Sequence, residues 1–214
     1  MIITPTHLIQ KRIVEAIRKK AQEKEPKQIT RAASELFVKI YEILNESILS
    51  SNEVVSLING KLRADFGLDE EKVSFLPTIM IDLIELYYDN IFENLDKNTA
   101  FAVQFTVRAR EESDPYVQSA ILRAQYVSPR SNELIDWLRW LLFSGGDIIN
   151  ESYKVYHKDG RGRSGMAIMV KGDGFAFKVD GEFSGTAKSN FVSRSIESAK
   201  DRIAQEIRSF VNGS

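Results

Sequence analysis

Phe101-Ala102-Val103-Gln104-Phe105-Thr106-Val107-Arg108 alternates large apolar residues with small or polar ones at every step. A strand turns successive side chains to opposite faces, so this spacing predicts a half-buried strand over 100–109. It also divides the chain. Before it the apolar residues recur every three or four positions, and after it the two periods are mixed.

Upstream, Thr4 and Pro5 read as an N-cap and first helical residue, followed by Leu8, Ile9, Ile13 and Ile17 on one face. Pro26 is expected to break the polar run that follows. Ala32, Leu36, Ile40, Leu44 and Ile48 stand four apart, with Phe37 and Tyr41 widening the stripe, and predict a second helix. Val54, Val55, Ile58 and Leu62 predict a short third helix ending before Gly67, and Asp69 is placed to cap the next segment. Pro77 would start or kink a fourth helix bearing Ile79, Leu83, Ile84, Tyr87 and Ile91. Residues 1–98 therefore form a mainly helical region, with helices expected through residue 95.

Downstream, Asp114-Pro115 opens a helix with Val117, Ala120, Ile121 and Ala124. Ser131 can cap another, in which Leu134, Trp137, Leu138, Leu141 and Leu142 share a face and Gly145-Gly146 is the stop. Strands are expected over 148–157, 166–171 and 175–179. Gly172-Asp173-Gly174 between the last two supplies the positive φ angles of a tight hairpin turn. Asn190 caps a long final helix with Val192, Ile196, Ala199, Ile203, Ile207 and Phe210. The fold class is α+β: a helical N-terminal half, then an antiparallel sheet of about four strands flanked by helices, closed by a long C-terminal helix. Residues 99–214 make the second domain.

The 214 residues are 43% hydrophobic and 28% charged, an ordinary composition for a folded protein, and the net charge is −1. Positive and negative charges are balanced along the chain, which argues against bulk attraction to nucleic acid or membrane. Absence of cysteine excludes disulfides, thiolate nucleophiles and thiolate metal ligands. No apolar run approaches the length of a bilayer span, and Met1 to His7 lacks the order of a secretory signal, so synthesis in a cytoplasm is the expectation.

Motifs for catalysis are scarce. Gly160-Arg161-Gly162-Arg163-Ser164-Gly165 matches the spelling of a dinucleotide loop, but a strand follows it where that loop needs a helix N-terminus. A flexible, solvated basic loop is the simpler reading, with Arg161 and Arg163 offered to a neighbouring subunit or to DNA phosphates. His7 and His157 lack ligand spacing, so no metal is expected. The acidic clusters sit at helix starts or in loops, where the helix dipole explains them. Trp137 and Trp140 are three apart on a helix. Core packing accounts for them most economically, and a buried subunit contact is the sharper alternative.

Gly181-Glu182-Phe183-Ser184-Gly185-Thr186, followed by Asn190-Phe191 and the final helix, resembles the closing segment of phage tail-completion and neck (head–tail joining) proteins. That family ends its sheet with a glutamate-phenylalanine-glycine-threonine turn and an aromatic residue that starts the last helix. Arg163-Ser164-Gly165 is similar to the arginine-threonine-glycine element before a family strand, and the tryptophan-rich helix leading into Gly145-Gly146 looks like virion proteins of this kind. The likeness covers residues 130–214. It departs in the inserted Ser184 and in Ser164 where threonine is usual. It implies a homo-oligomeric ring, most often sixfold, between the connector on the portal side and the tail, located in the virion, with passive DNA contact in the channel. It implies neither catalysis nor a cofactor. Contact candidates are then Arg161, Arg163, Trp137, Trp140, Glu182, Phe183, Thr186 and Phe191. Two rivals stand beside it: a nucleic-acid module using the 160–165 loop with Phe175 and Phe177, and a small enzyme with a carboxylate site.

Overall fold

The computed structural model describes residues 26–95, 98–127, 134–157 and 160–212. The expected helix after Thr4 and the cap at Ser131 lie outside the described residues. In chain order the elements are α1 (Pro26–Leu49), α2 (Asn52–Asn59), α3 (Lys61–Phe66), α4 (Glu70–Ile81), β1 (Ile84–Leu95), β2 (Asn98–Ala109), α5 (Pro115–Ala124), β3 (Tyr126–Val127), β4 (Leu134–Ile135), α6 (Trp137–Phe143), β5 (Asn150–His157), β6 (Ala167–Phe177) and α7 (Phe191–Asn212). They form two compact units. One comprises Met1–Ser47, Glu85–Ala109 and Ile196–Ser214, and the other Ile48–Ile84 and Arg110–Ser195.

In the first unit, Leu36, Ile40 and Leu44 of α1 form the buried stripe that the four-residue spacing predicts, and Ala33 is buried beside them. Pro26 stands in the first turn of this helix, where a missing N–H costs nothing, and the polar run before it lies outside the described residues. Ser47 meets Ser198 at 2.8 Å, Glu46 meets Arg202 at 2.5 Å, and Lys39 meets Glu206, so α1 and the 196–212 part of α7 run antiparallel. The hairpin β1–β2 completes the unit, with the Tyr88 ring 5.6 Å from Phe37 and 5.7 Å from Phe105. Arg108 pairs with Glu85 across the two strands.

That hairpin overturns the fourth helix expected through residue 95. Helix α4 runs from its Asp69 cap, whose carboxylate accepts from Lys72 N at 2.9 Å, through Pro77 to Ile81, and a turn at Asp82-Leu83 ends it. Ile84, Leu86, Tyr87, Tyr88 and Ile91 are β-branched, leucine or aromatic, and a partner strand joined by a two-residue connection overrides their accidental helical spacing. The third expected helix is two. A Cβ on Gly60 would come within 2.8 Å of Ser56 Cα, and the Ser56 hydroxyl accepts from Leu62 N at 3.0 Å, so the chain breaks and re-caps at Gly60.

In the second unit the expected four-stranded sheet is also corrected. The strands form three separate pairs, β1 with β2, β3 with β4, and β5 with β6. The 100–109 strand is taken by β1 and not by the C-terminal strands. Gly172-Asp173-Gly174 is no hairpin turn either. Strand β6 runs through it, with Glu151 opposite Ala176 and Tyr153 opposite Lys171, so Ser152 alone faces the Gly172–Phe175 segment. The left-handed φ of +74° at Gly174 is used for a bulge, and Ser152 answers with φ +65°. Helix α6 begins at Trp137, after the short strand β4, so its first expected turn at Leu134 is extended chain. Asp114 caps α5 and Asn190 caps α7 by accepting from Tyr116 N and Val192 N. Helix α7 is the long C-terminal helix that the sequence predicts.

Candidate functional site

The second unit contains a cleft of about 460 Å³. One wall is a face of the β5–β6 hairpin carrying Tyr153, Val155, Ala167, Met169 and Lys171, with Phe177 at its base. Opposite stand Phe66 and Gly67 at the end of α3, with Tyr126 and Trp140. Phe66 is the hinge of an aromatic cluster, its ring 5.8 Å from Trp137, 6.4 Å from Trp140 and 6.4 Å from Phe177. The floor is therefore apolar and largely aromatic.

The 160–165 loop stands at the mouth, and its residues explain its shape. A Cβ on Gly162 would overlap the Ala167 carbonyl oxygen, so only glycine lets the loop lie against β6. Gly165 donates to Gly162 O at 2.9 Å and has φ +69°. The hydroxyl of Ser164, a buried residue, accepts from Met166 N at 3.2 Å. The loop is thus packed and braced, where the sequence suggested a pliable one.

Arg163 is held by this frame. Its guanidinium lies over the Tyr126 ring, 3.9 Å from the centroid, and a Cβ on Gly67 would approach its Nη2 to 3.1 Å. Gly67 has φ +63°, so glycine there both caps α3 and makes room for the guanidinium. Tyr126 donates its hydroxyl to Phe66 O. Burial raises the Tyr126 phenol above its ordinary range, against the pull of the Arg163 charge.

Asp65 is the carboxylate of the cleft. Burial pushes it above the usual carboxylate range, although His157 Nε2 lies 3.3 Å from it and Lys61 is near. Lys61 in turn pairs with Asp180. That hydrogen bond raises the lysine and holds Asp180 low.

The expected contact residues divide into two sets. Trp137 is 1% exposed and donates Nε1–H to Ala124 O at 2.7 Å, Phe191 is 0% exposed, and Phe183 is 8% exposed, so these three belong to the unit's own core. Trp140 is half-buried in the cleft wall. Arg161, Arg163, Glu182 and Thr186 are at the surface. The 181–186 turn is anchored: Ser184 N and Phe183 N each donate to Asp180 O at 2.9 Å, Gly145 N donates to Gly185 O at 2.8 Å, and a Cβ on Gly185 would come within 2.7 Å of Leu141 O. Phe177 is buried and Phe175 is half-buried beside Lys154, so neither offers the open stacking face a nucleic-acid platform needs. Asp65, Tyr126 and Lys171 gave no sign of a site in the sequence, and Gly67 was read only as a helix stop, because their neighbours in space lie up to a hundred residues away in the chain.

Among the described residues no cluster of His, Asp or Glu side chains is placed to hold a metal ion, and no helix is long and apolar enough to cross a membrane. Comparison of the chain with family models, with curated proteins and with solved structures gives no match.

Proposed function

We propose that the chain is a non-enzymatic ring subunit of the neck of a tailed bacteriophage, joining the DNA-filled head to the tail. The observation that carries the assembly part is the β5–β6 hairpin. Among the described residues its two strands pair only with each other, and Tyr156 and Met169 are exposed on them. A long hairpin with open backbone edges and exposed apolar side chains invites a strand from a neighbour. A neighbour that adds head to tail around a closed axis makes a ring. The phage assignment rests on the likeness of residues 130–214 to tail-completion and neck proteins. The surface positions of Arg161, Glu182 and Thr186 suit a role in contacts with adjacent copies and with proteins on the connector and tail sides.

The test has two stages. Light scattering on the purified chain should give a closed homo-oligomer at micromolar concentration. Replacing Tyr156 and Met169 together by lysine should reduce it to monomers with unchanged circular dichroism. Phage carrying that double change should accumulate filled heads apart from finished tails. A monomer at all concentrations, or infectious particles lacking the protein, overturns the reading.

A further inference from the structure

Among the described residues of the second unit, several arginines are held by ion pairs or carbonyl groups. Arg110 pairs with Asp114 at 3.0 Å, Arg123 with Asp82, Arg139 with Glu112 at 2.7 Å and Arg194 with Glu53 at 2.5 Å, while Arg63 donates to the carbonyls of Ile58 and Leu68. Arg163 has no carboxylate partner among the described residues, and neither does Lys171 on the cleft wall. An exposed arginine without a partner is ordinary when its side chain is free to wander. This one is stacked, between the Tyr126 ring and Gly67, on a loop that Gly162 lets lie against β6 and that the buried Ser164 braces. The guanidinium also hydrogen-bonds the Tyr126 hydroxyl, and its remaining N–H groups can still meet a phosphate or carboxylate. Holding it in place beforehand removes the entropy cost of ordering it on binding.

Below the guanidinium lies the aromatic floor, in a cleft whose volume is within the range of small-molecule sites. We infer that this cleft binds a planar aromatic anion, its flat body against Trp140 and Tyr153 and its phosphate or carboxylate on Arg163 with Lys171 beside it. Asp65 also lines the cleft, but His157 and Lys61 face it and offset its charge, which leaves the Arg163 side as the anion's end. The inference does not rest on ring formation: every residue it uses lies in one unit of one chain, and its variants leave Met169, which the ring test replaces, in place.

The probe is 1-naphthyl phosphate, titrated into the full chain and followed by tryptophan fluorescence. Trp137 and Trp140 are the only tryptophans, and Trp140 lines the cleft. Saturable one-to-one quenching is expected, with neutral 1-naphthol at least about tenfold weaker for want of the charge-assisted hydrogen bonds. Arg163→Ala should weaken the phosphate by about tenfold or more and leave the naphthol unchanged. Arg163→Lys keeps the charge but loses the fork and should fall between. Lys188→Ala, outside the cleft, should bind as the parent does. Equal affinity for naphthol and its phosphate, no saturable binding, or full affinity in a folded Arg163→Ala protein overturns the inference. Should Arg163→Ala fail to fold, the lysine variant decides, and parental affinity in it refutes the fork.

Discussion

Replacing Trp137 by phenylalanine tests whether this ring is a core residue or a contact with another subunit. The indole N–H donates to Ala124 O at 2.7 Å, and Ala124 is the last residue of α5, whose terminal carbonyls have no partner within the helix. Phenylalanine fills most of the space but cannot donate. A buried carbonyl left unpaired costs about 1–3 kcal/mol. The smaller ring leaves about 40 Å³ empty, worth roughly 1 kcal/mol at ~24 cal/mol per Å³. The sum is about 3 kcal/mol. With a urea slope of ~2 kcal/mol/M, that moves the midpoint down by about 1.5 M. Trp140 is the internal comparison. It is half-buried, its indole makes no hydrogen bond among the described residues, and Trp140→Phe should cost under about 1 kcal/mol. Each variant keeps one tryptophan in α6, so fluorescence reports unfolding of the second unit alone. The reasoning fails if Trp137→Phe costs no more than Trp140→Phe. It fails equally if its main effect is on oligomer size at unchanged urea midpoint.

Three further outcomes follow from individual contacts. Asp69→Ala removes the side-chain cap of α4 and should cost about 1 kcal/mol in urea unfolding; no loss would show that Glu70 and Glu71 carry the helix start alone. Asp65 is raised by burial, so its folded form holds a proton more readily than the unfolded chain, and stability falls as pH rises from about 4 through the raised value. Asp65→Asn should therefore be more stable than the parent at pH 7 and equal to it below pH ~4; the reverse order at pH 7 would mean that the His157 pairing outweighs burial. Gly162→Ala would drive a methyl into the Ala167 carbonyl, displace the loop at a cost of about 1–3 kcal/mol, and weaken naphthyl phosphate binding with it; a neutral alanine would refute the close approach.

How far the sequence reaches depends on how local the cause is. Helices α1, α5 and α7 were legible because their stripes and caps are set within a few residues: Leu36, Ile40 and Leu44 on one side, Asp114 and Asn190 at the starts. The strand over 100–109 was legible for the same reason. Its partner was not. Ile84, Tyr87 and Ile91 fit a helical stripe as well as a strand, and only the partner strand decides between them. Gly172-Asp173-Gly174 shows a subtler limit. The positive φ that a hairpin turn needs is present at Gly174, but the same φ serves a bulge, and only the register against Glu151 and Tyr153 separates the two.

The candidate site was half legible, and the missing half gives it its chemistry. Gly160 to Gly165 is visible as a loop with two arginines, and both glycine spacing and charge suggested something pliable that reaches outward. The structure reverses the mechanics. Gly162 is needed because β6 passes too close for a side chain, and Gly67, nearly a hundred residues earlier, opens the slot that Arg163 occupies against Tyr126. Glycine in a loop is compatible with freedom and with close packing alike, and a sequence does not distinguish them. The distinction governs affinity. A mobile arginine must give up rotamer entropy, of the order of 1 kcal/mol or more, each time it meets an anion, whereas a stacked and walled one has given it up on folding. Removing the wall tests this separately from the charge. Tyr126→Ala leaves Arg163 in the chain but unstacked, and it should weaken the aromatic phosphate several-fold while inorganic phosphate, already weak, changes little. Undiminished binding in that variant would mean that the arginine's place is set by the loop alone.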